Sequence, residues 1–149
     1  MNTYEEIINY AIGKEIEAQN FYKDVAAKTT ETFIKEMFTT FADEEKKHEI
    51  MLKNILENKT IGANFKASSD YGISKTVEKP DVSGGMTLAD AFALAMKNEE
   101  EAMNMYLKLA TDCDSTEARK VFEDLATMEK GHKFKMESAY TETAYAEAW

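Results

Sequence analysis

The chain has 149 residues, of which 44% are hydrophobic, so it has the size of one domain and can bury a core. Its 28 acidic and 18 basic residues give a formal net charge of -10, which argues against nucleic acid as a partner because that contact requires clustered Lys and Arg. No apolar run reaches the roughly 18 residues of a membrane span, and the acidic first residues are unlike a signal peptide, so we expect a cytoplasmic protein without a membrane partner. The single cysteine, Cys113, excludes an internal disulfide and the paired-cysteine sites that hold iron or zinc.

Four stretches carry apolar residues at alternating spacings of three and four. This pattern is typical of helices packed along one seam, so we predict an all-α fold. The first helix is predicted over about Tyr4–Lys28, behind a capping box of Thr3 and Glu6, and the second over about Glu31–Glu57. The seam of this first hairpin consists of Ile8, Ala11, Glu15, Ala18, Tyr22, Val25, Ile34, Phe38, Phe41, Glu45, His48, Leu52 and Ile55.

Residues 58–86 lose this periodicity and contain the only Pro and four of the six Gly, so we predict a long connection there. The third helix is predicted to begin near Thr87, with Asp90 completing a capping box. The fourth follows the turn TDCDST, with Asp114 as N-cap and Glu117 as its partner. This second hairpin spans about residues 87–140, and the tail after it is left unassigned. Its seam consists of Leu88, Phe92, Ala95, Glu99, Ala102, Tyr106, Leu109, Ala118, Phe122, Leu125, Glu129, His132, Met136 and Ala139.

The second hairpin repeats the first at an offset of 84 positions. The identical pairs include Glu15 and Glu99, Ala18 and Ala102, Tyr22 and Tyr106, Phe38 and Phe122, Glu45 and Glu129, and His48 and His132. Because the match extends to charged seam positions, we predict two copies of one helical hairpin, related by a pseudo-twofold axis within a single domain. Each copy would contribute half of one site.

The polar seam residues are predicted to meet at one level of the bundle. In each hairpin the seam glutamates of the two helices are 30 residues apart, with the predicted turn midway between them. Since a helix rises about 1.5 Å per residue, both acids then lie at the same height. A histidine follows the second acid by three residues in each copy and shares its helix face. The predicted layer consists of Glu15, Glu45, His48, Glu99, Glu129 and His132.

Four ionised carboxylates cannot share a bundle interior without a counter-charge, because desolvation and mutual repulsion would each cost several kcal/mol. No Lys or Arg occupies a seam position. Two divalent or trivalent cations would balance the layer, and its oxygen and imidazole donors suit iron or manganese better than structural zinc. A Glu from each of two helices and a Glu-x-x-His from each of the other two is the di-iron or di-manganese motif of ferritin-like four-helix bundles.

Other interpretations remain open from the sequence. A single Glu-x-x-His is a weak signal in a Glu-rich helical protein, whereas both histidines of this chain follow the pattern. Tyr22 and Tyr106, two turns beyond the first acid of each hairpin, could hydrogen-bond a ligand carboxylate or serve only as core aromatics. Ala18 and Ala102 could leave room beside the metals or simply allow close helix packing. The solvated helix face around the second-helix ligands is predicted to carry Asp43, Glu44, Lys46, Lys47 and Glu49.

The chain resembles the rubrerythrin-like branch of the ferritin-like superfamily through the segments KEIEAQNFYKDVA, FADEEKKHEIML, NEEEAMNMYLKLA and LATMEKGHKFKM. The resemblance implies a ferritin-like four-helix bundle with a long crossover connection. It also implies a non-haem di-iron oxidoreductase that reduces hydrogen peroxide or oxygen in oxidative-stress protection and forms a homodimer. Glu45 and Glu129 would bridge two iron ions, with manganese as the alternative metal. The terminal ligands would be Glu15, His48, Glu99 and His132.

Two departures from rubrerythrins bear on the predicted function. Cys113 alone cannot build their four-cysteine rubredoxin site, so electrons are expected from a separate, rubredoxin-like or other donor protein. Rubrerythrins also carry a further carboxylate one turn after Glu99, where this chain has Ala102, and only a π-bulge could turn Glu100 or Glu101 inward. The symmetric six ligands are closer to those of bacterioferritin. A ferroxidase for iron storage or transfer is therefore the alternative function, and a structural bundle without metal chemistry is the third.

Overall fold

The computed structural model describes residues 4–58 and 86–143, and all regular structure within these ranges is helical. The helices are α1 (Tyr4–Lys28), α2 (Thr32–Glu57), α3 (Leu88–Asp112) and α4 (Thr116–Thr143). They confirm the predicted all-α fold and its helix ends to within a few residues. The Thr3 cap, nearly all of the predicted connection and the tail after residue 143 lie outside the described residues. Across the described part of the chain, no helix combines the length and apolar character that a membrane crossing requires.

Side-chain caps mark the starts of α3 and α4. At α3, the Thr87 hydroxyl accepts from the Asp90 amide at 3.1 Å and the Asp90 carboxylate accepts from the Thr87 amide at 3.2 Å. The predicted capping box is thus confirmed. At α4 the predicted cap Asp114 is wrong, because the Ser115 hydroxyl accepts from the Ala118 amide at 3.2 Å. Both Asp and Ser are favourable N-caps, so the sequence rule could not choose between these neighbours.

The apolar faces of the two hairpins form two separate cores, one at each end of the bundle. α1 packs against α2, and α3 packs against α4. Core A, beside the α3–α4 turn, includes Ile7, Ile8, Ala11, Leu52, Ile55, Tyr106, Leu109, Ala118, Phe122 and Leu125. Core B, beside the α1–α2 turn, includes Tyr22, Val25, Ile34, Phe38, Phe41, Leu88, Phe92, Ala95, Met136 and Ala139. Each core joins the turn of one hairpin to the open end of the other, so the hairpins run in opposite directions.

The buried positions follow the predicted seam. Every predicted seam residue is buried except Ala18 and Ala102, which are partly buried. Near its end, α2 contributes Ile55 to core A, whereas α3 begins in core B with Leu88. A helix of 25 residues is about 37 Å long, so the chain leaves the first hairpin and enters the second at opposite ends of the bundle. This arrangement agrees with the pseudo-twofold relation predicted from the repeat.

Candidate metal centre

A single polar layer separates core A from core B. It contains one glutamate from each of α1 and α3, and a glutamate and a histidine from each of α2 and α4. All six side chains are buried, with at most 2% of their surface exposed. The structure thus brings together the six residues that the sequence singles out, because helical periodicity directs them inward and their spacing about the turns sets a common height. They are Glu15, Glu45, His48, Glu99, Glu129 and His132.

The six side chains form two overlapping groups that could each hold a metal ion. The groups are Glu15, Glu45, His48 and Glu129, and Glu45, Glu99, Glu129 and His132. Within each group, one ligand atom from every residue lies within 4.8 Å of the ligand atoms of the others. Glu45 and Glu129 belong to both groups, so the two candidate positions lie side by side and share two carboxylates.

Both histidines turn Nδ1 into the layer. His48 Nδ1 lies 3.0 Å from Glu129 Oε1 on the other hairpin. His132 Nδ1 lies 3.2 Å from Glu45 Oε1, so the relation is repeated in the opposite direction. The two imidazole planes are within 14° of parallel, and their centroids are 6.1 Å apart. Each histidine therefore approaches a shared carboxylate contributed by the other hairpin.

Each of the six side chains has one buried polar atom that makes no hydrogen bond. The short distances from the two histidine Nδ1 atoms to Glu129 Oε1 and Glu45 Oε1 lack hydrogen-bond geometry. Buried polar groups are nearly always paired, and leaving one unpaired costs about 1–3 kcal/mol. Among the described residues, the unpaired buried side-chain atoms are Glu15 Oε2, Glu45 Oε1, His48 Nδ1, Glu99 Oε2, Glu129 Oε1 and His132 Nδ1. This set of oxygen and imidazole donors fits two metal ions, whereas a purely structural bundle leaves it unexplained.

The carboxylates of the layer perturb one another. Burial, followed by the charge of Glu129, raises the pKa of Glu45 well above its ordinary value. Burial and the charge of Glu99 raise the pKa of Glu129 in the same way. Burial also acts to raise the pKa of Glu15, but its contacts with His48 and Glu45 outweigh burial and lower the pKa. Without cations the layer thus favours protons on Glu45 and Glu129, and metal binding would release them.

Two buried tyrosines hydrogen-bond the layer glutamates of α1 and α3. The Tyr22 hydroxyl donates to Glu99 Oε1, and the Tyr106 hydroxyl donates to Glu15 Oε1. Each hydrogen bond joins α1 to α3 and therefore crosses between hairpins, so each tyrosine contacts the acid of the opposite hairpin rather than that of its own helix. In both glutamates the other oxygen, Oε2, is the unpaired atom that faces the layer. Burial and the adjacent carboxylates raise the pKa of both tyrosines well above the usual value, so both hydroxyls keep their protons and remain donors.

The outer nitrogens of the two histidines have different partners, which the sequence pattern did not reveal. His132 Nε2 contacts the carboxylate of Glu44. His48 Nε2 lies 3.0 Å from the thioether sulfur of Met128. The assignment of Glu44 to the solvated face is corrected, because its side chain is only 34% exposed and reaches a histidine of the other hairpin. Glu44 and Met128, which each precede a Glu-x-x-His by one residue, are equivalent positions at the offset of 84. The repeat therefore relates these two residues to each other, but not to the histidines that they contact.

Glu49 is also wrongly predicted to be solvated, since it is only 3% exposed. Its carboxylate accepts a hydrogen bond from Gln19 Nε2 on α1 at 2.8 Å and is also bonded by Lys46 and Lys53. The hydrogen bond from Gln19, followed by that from Lys53, lowers the pKa of Glu49 to about 2. Glu49 follows the seam residue His48 directly, and its burial depends on a side chain of the neighbouring helix. Periodicity within α2 carries no signal for that contact.

No further carboxylate enters the layer from the described part of α3. Glu100 and Glu101 are exposed, and Glu100 instead lies 3.8 Å from Lys133. The helix is α-helical over its whole length, so no π-bulge turns either acid inward. Ala102 is partly buried and packs against core A. The candidate donor set is therefore the symmetric six.

Comparisons with known proteins agree with this architecture. The rubrerythrin family model matches residues 6–140. The fold is similar to that of a hypothetical protein from Pyrococcus furiosus, with a TM-score of 0.78, 30% sequence identity, and 97% of this chain and 92% of that chain covered. It is also similar to that of a Thermotoga maritima protein provisionally described as a ferritin-like diiron-carboxylate protein, with a TM-score of 0.73, 20% identity, and 95% of this chain and 97% of that chain covered. The second likeness concerns the fold and confirms the ferritin-like four-helix bundle. Among curated proteins, none is significantly similar to the chain.

Replacement of Tyr106 by Phe tests whether the tyrosines act on the candidate ligands. The Tyr106→Phe variant keeps the ring in core A but loses the hydrogen bond to Glu15. We expect the affinity for Co²⁺ to fall about 10-fold to 100-fold, measured by competition with a chelator. Tyr140→Phe, at the edge of core B, is the matched control and should leave the affinity unchanged. An unaltered affinity in Tyr106→Phe would reduce this tyrosine to a packing role.

Replacement of Glu129 by Gln distinguishes the effect of the buried carboxyl group on the stability of the metal-free protein from its effect on metal binding. In metal-free protein, Glu129→Gln replaces a buried carboxyl group, whose pKa is raised by burial and by the charge of Glu99, with a neutral side chain of similar shape, so we expect the melting temperature to stay the same or rise. With Co²⁺ present, the variant should gain less stability than the wild type because a shared ligand is weakened. Glu123→Gln, an exposed acid on the same helix, is the control. Equal stabilisation of the variant and the wild type by Co²⁺ would contradict a role for Glu129 as a ligand.

Proposed function

Because the chain belongs to the rubrerythrin family, as its resemblance predicted, we propose that it is a di-iron oxidoreductase that reduces hydrogen peroxide or oxygen in protection against oxidative stress. The observation that carries the proposal is the set of six unpaired buried atoms, one from each predicted ligand, arranged in two groups that share two glutamates. Such a set has no ordinary structural use, whereas two cations would satisfy all six atoms. Both iron and manganese accept these donors, so the donor set does not distinguish the two metals. Membership of the rubrerythrin family favours iron.

The six donors divide naturally between two metal ions. Glu15 and His48 belong to one group only and would be terminal ligands of the first ion. Glu99 and His132 would be terminal ligands of the second, while Glu45 and Glu129 would bridge both. When bound, two ferrous ions can supply the two electrons that reduction of hydrogen peroxide to water requires.

The surrounding residues prepare the site for this reaction. Cores A and B seal the layer from both ends of the bundle, so bulk water is excluded from the described interior. The hydroxyls of Tyr22 and Tyr106 hold one oxygen of each terminal glutamate and leave the other free to face the metals. The raised pKa values of Glu45 and Glu129 make these carboxylates suitable acceptors of protons when a cation leaves. The protein would thus orient the ligand side chains, exclude bulk water from the layer and hold protons on two of the carboxyl groups.

The proposal includes two partners. Electrons would come from a separate donor protein, because the sequence has one cysteine, Cys113, and that residue is buried in core A. A four-thiolate iron site cannot be built from it. The second partner is another copy of the chain, in a homodimer.

Anaerobic mixing of the iron-loaded protein with hydrogen peroxide tests the proposed activity. We expect metal analysis to find about two iron ions per chain and stopped-flow absorption to show oxidation faster than that of free ferrous ion at the same concentration. Glu45→Ala should lose bound iron and the fast phase, because Glu45 belongs to both groups. Glu36→Ala, an exposed acid on the same helix, should retain both properties. Oxidation no faster than that of free iron would rule out the peroxidase.

Ferroxidase activity for iron storage or transfer is the second candidate. It is favoured by Ala102, which stands where rubrerythrins carry a further carboxylate, and by the exposure of Glu100 and Glu101. Size-exclusion chromatography distinguishes the two functions, because storage requires a large cage. We expect elution as a dimer. Elution as a cage of many subunits would instead support iron storage.

A further inference from the structure

The two candidate metal positions differ at one pair of equivalent contacts. Glu44 and Met128 are 84 positions apart, the same offset that relates His48 to His132. Each lies against the Nε2 atom of the histidine on the other hairpin, so Glu44 contacts His132 and Met128 contacts His48. The ligands themselves, and the tyrosines that orient them, are identical in the two halves. The two halves of the centre therefore differ in the side chain that contacts the outer nitrogen, Nε2, of each histidine.

A carboxylate and a thioether act differently on an imidazole. Both histidines direct Nδ1 into the layer, and a cation bound there leaves the proton on Nε2. A carboxylate accepts that proton in a charge-assisted hydrogen bond, orients the ring and makes it a stronger donor to the metal. A thioether sulfur is only a weak acceptor and carries no charge. Glu44 thus orients the imidazole of His132 and strengthens it as a donor, whereas the thioether of Met128 does neither for His48.

Building on the proposed two-metal site, we propose that the two positions are unequal in affinity and that Glu44 and Met128 set their order. The position formed by Glu99 and His132 binds a divalent cation more tightly than the position formed by Glu15 and His48. It is therefore filled first and emptied last. Glu44 acts through His132 and is a positioning residue rather than a ligand.

Glu44 and Met128 suit this role because neither is part of the closed layer. The Glu44 side chain is 34% exposed and Met128 is 43% exposed, so each can be exchanged without opening a cavity. Phe41 packs on the His132 ring with centroids 4.3 Å apart, and its equivalent position holds Leu125. That second difference is untouched by an exchange at positions 44 and 128, so the two effects can be separated.

Calorimetric titration with Co²⁺ tests the inference at one position at a time. His48→Ala removes one donor of its own position and leaves all four donors of the His132 position, and His132→Ala does the converse, so the first binding constant of each variant reports the intact position. We expect Co²⁺ to bind the His48→Ala variant about 10-fold to 100-fold more tightly than the His132→Ala variant. The visible absorption of bound Co²⁺ should differ between the two variants, because their imidazoles differ in donor strength.

Exchange of the outer partners then tests the cause. In the His48→Ala background, Glu44→Met should weaken binding by a similar factor. In the His132→Ala background, Met128→Glu should strengthen it by a similar factor. Glu36→Met, which removes an exposed acid from the same helix as Glu44, is the control for net charge and should change neither constant.

The outcomes separate this inference from the proposed metal centre. Equal affinities in the two histidine variants, or affinities that both exchanges leave unchanged, would overturn the inference while the centre stands. Failure of the wild-type protein to bind Co²⁺ would overturn the centre itself and the inference with it. Should a histidine variant fail to fold, the same exchanges in the wild-type chain must move the first and second binding constants toward each other, and constants that do not move overturn the inference.

Discussion

Four carboxylates and two imidazoles each place one unpaired polar atom in a single layer between two apolar cores, and the rest of the structure depends on how their charge is balanced. Each unpaired buried polar atom costs about 1–3 kcal/mol. The whole stability of a domain is only about 5–15 kcal/mol, so the combined cost of six such atoms is comparable to all of it. Cations bound to these atoms would remove this cost in the folded chain alone, so metal binding would be coupled to folding.

The fold meets the constraint by placing apolar packing on both sides of the layer. Core A and core B each join the turn of one hairpin to the open end of the other, so neither hairpin has a complete core of its own. The hydrogen bonds from Tyr22 to Glu99 and from Tyr106 to Glu15 cross between the hairpins at the same level. The tyrosines that hydrogen-bond candidate ligands thus also link the two hairpins. A substitution in the layer should therefore change both the stability of the fold and the chemistry of the site.

The internal repeat is complete at the candidate ligands and the tyrosines that contact them, and it is only partial at the other positions. The ligands and the orienting tyrosines are identical at the offset of 84. Away from them the halves differ: Glu49 is buried against Gln19, whereas the equivalent Lys133 lies 3.7 Å from Glu137 and is 26% exposed. Such differences would allow a symmetric scaffold to hold two unequal metal ions, because the side chains next to the candidate ligands differ between the two halves.

The sequence by itself determined the four helices, their inward faces and the six residues of the layer. Periodicity reports which face of a helix is buried, and spacing about a turn reports height, so both could be read without a structure. Neither reports which side chain of another helix approaches a given residue. Only the tertiary structure could therefore decide that Tyr22 contacts Glu99 rather than the acid of its own helix, and that Glu44 reaches His132. The outer contacts of the site belong to the packing between helices, where long side chains from different elements meet at positions that one-dimensional spacing does not define.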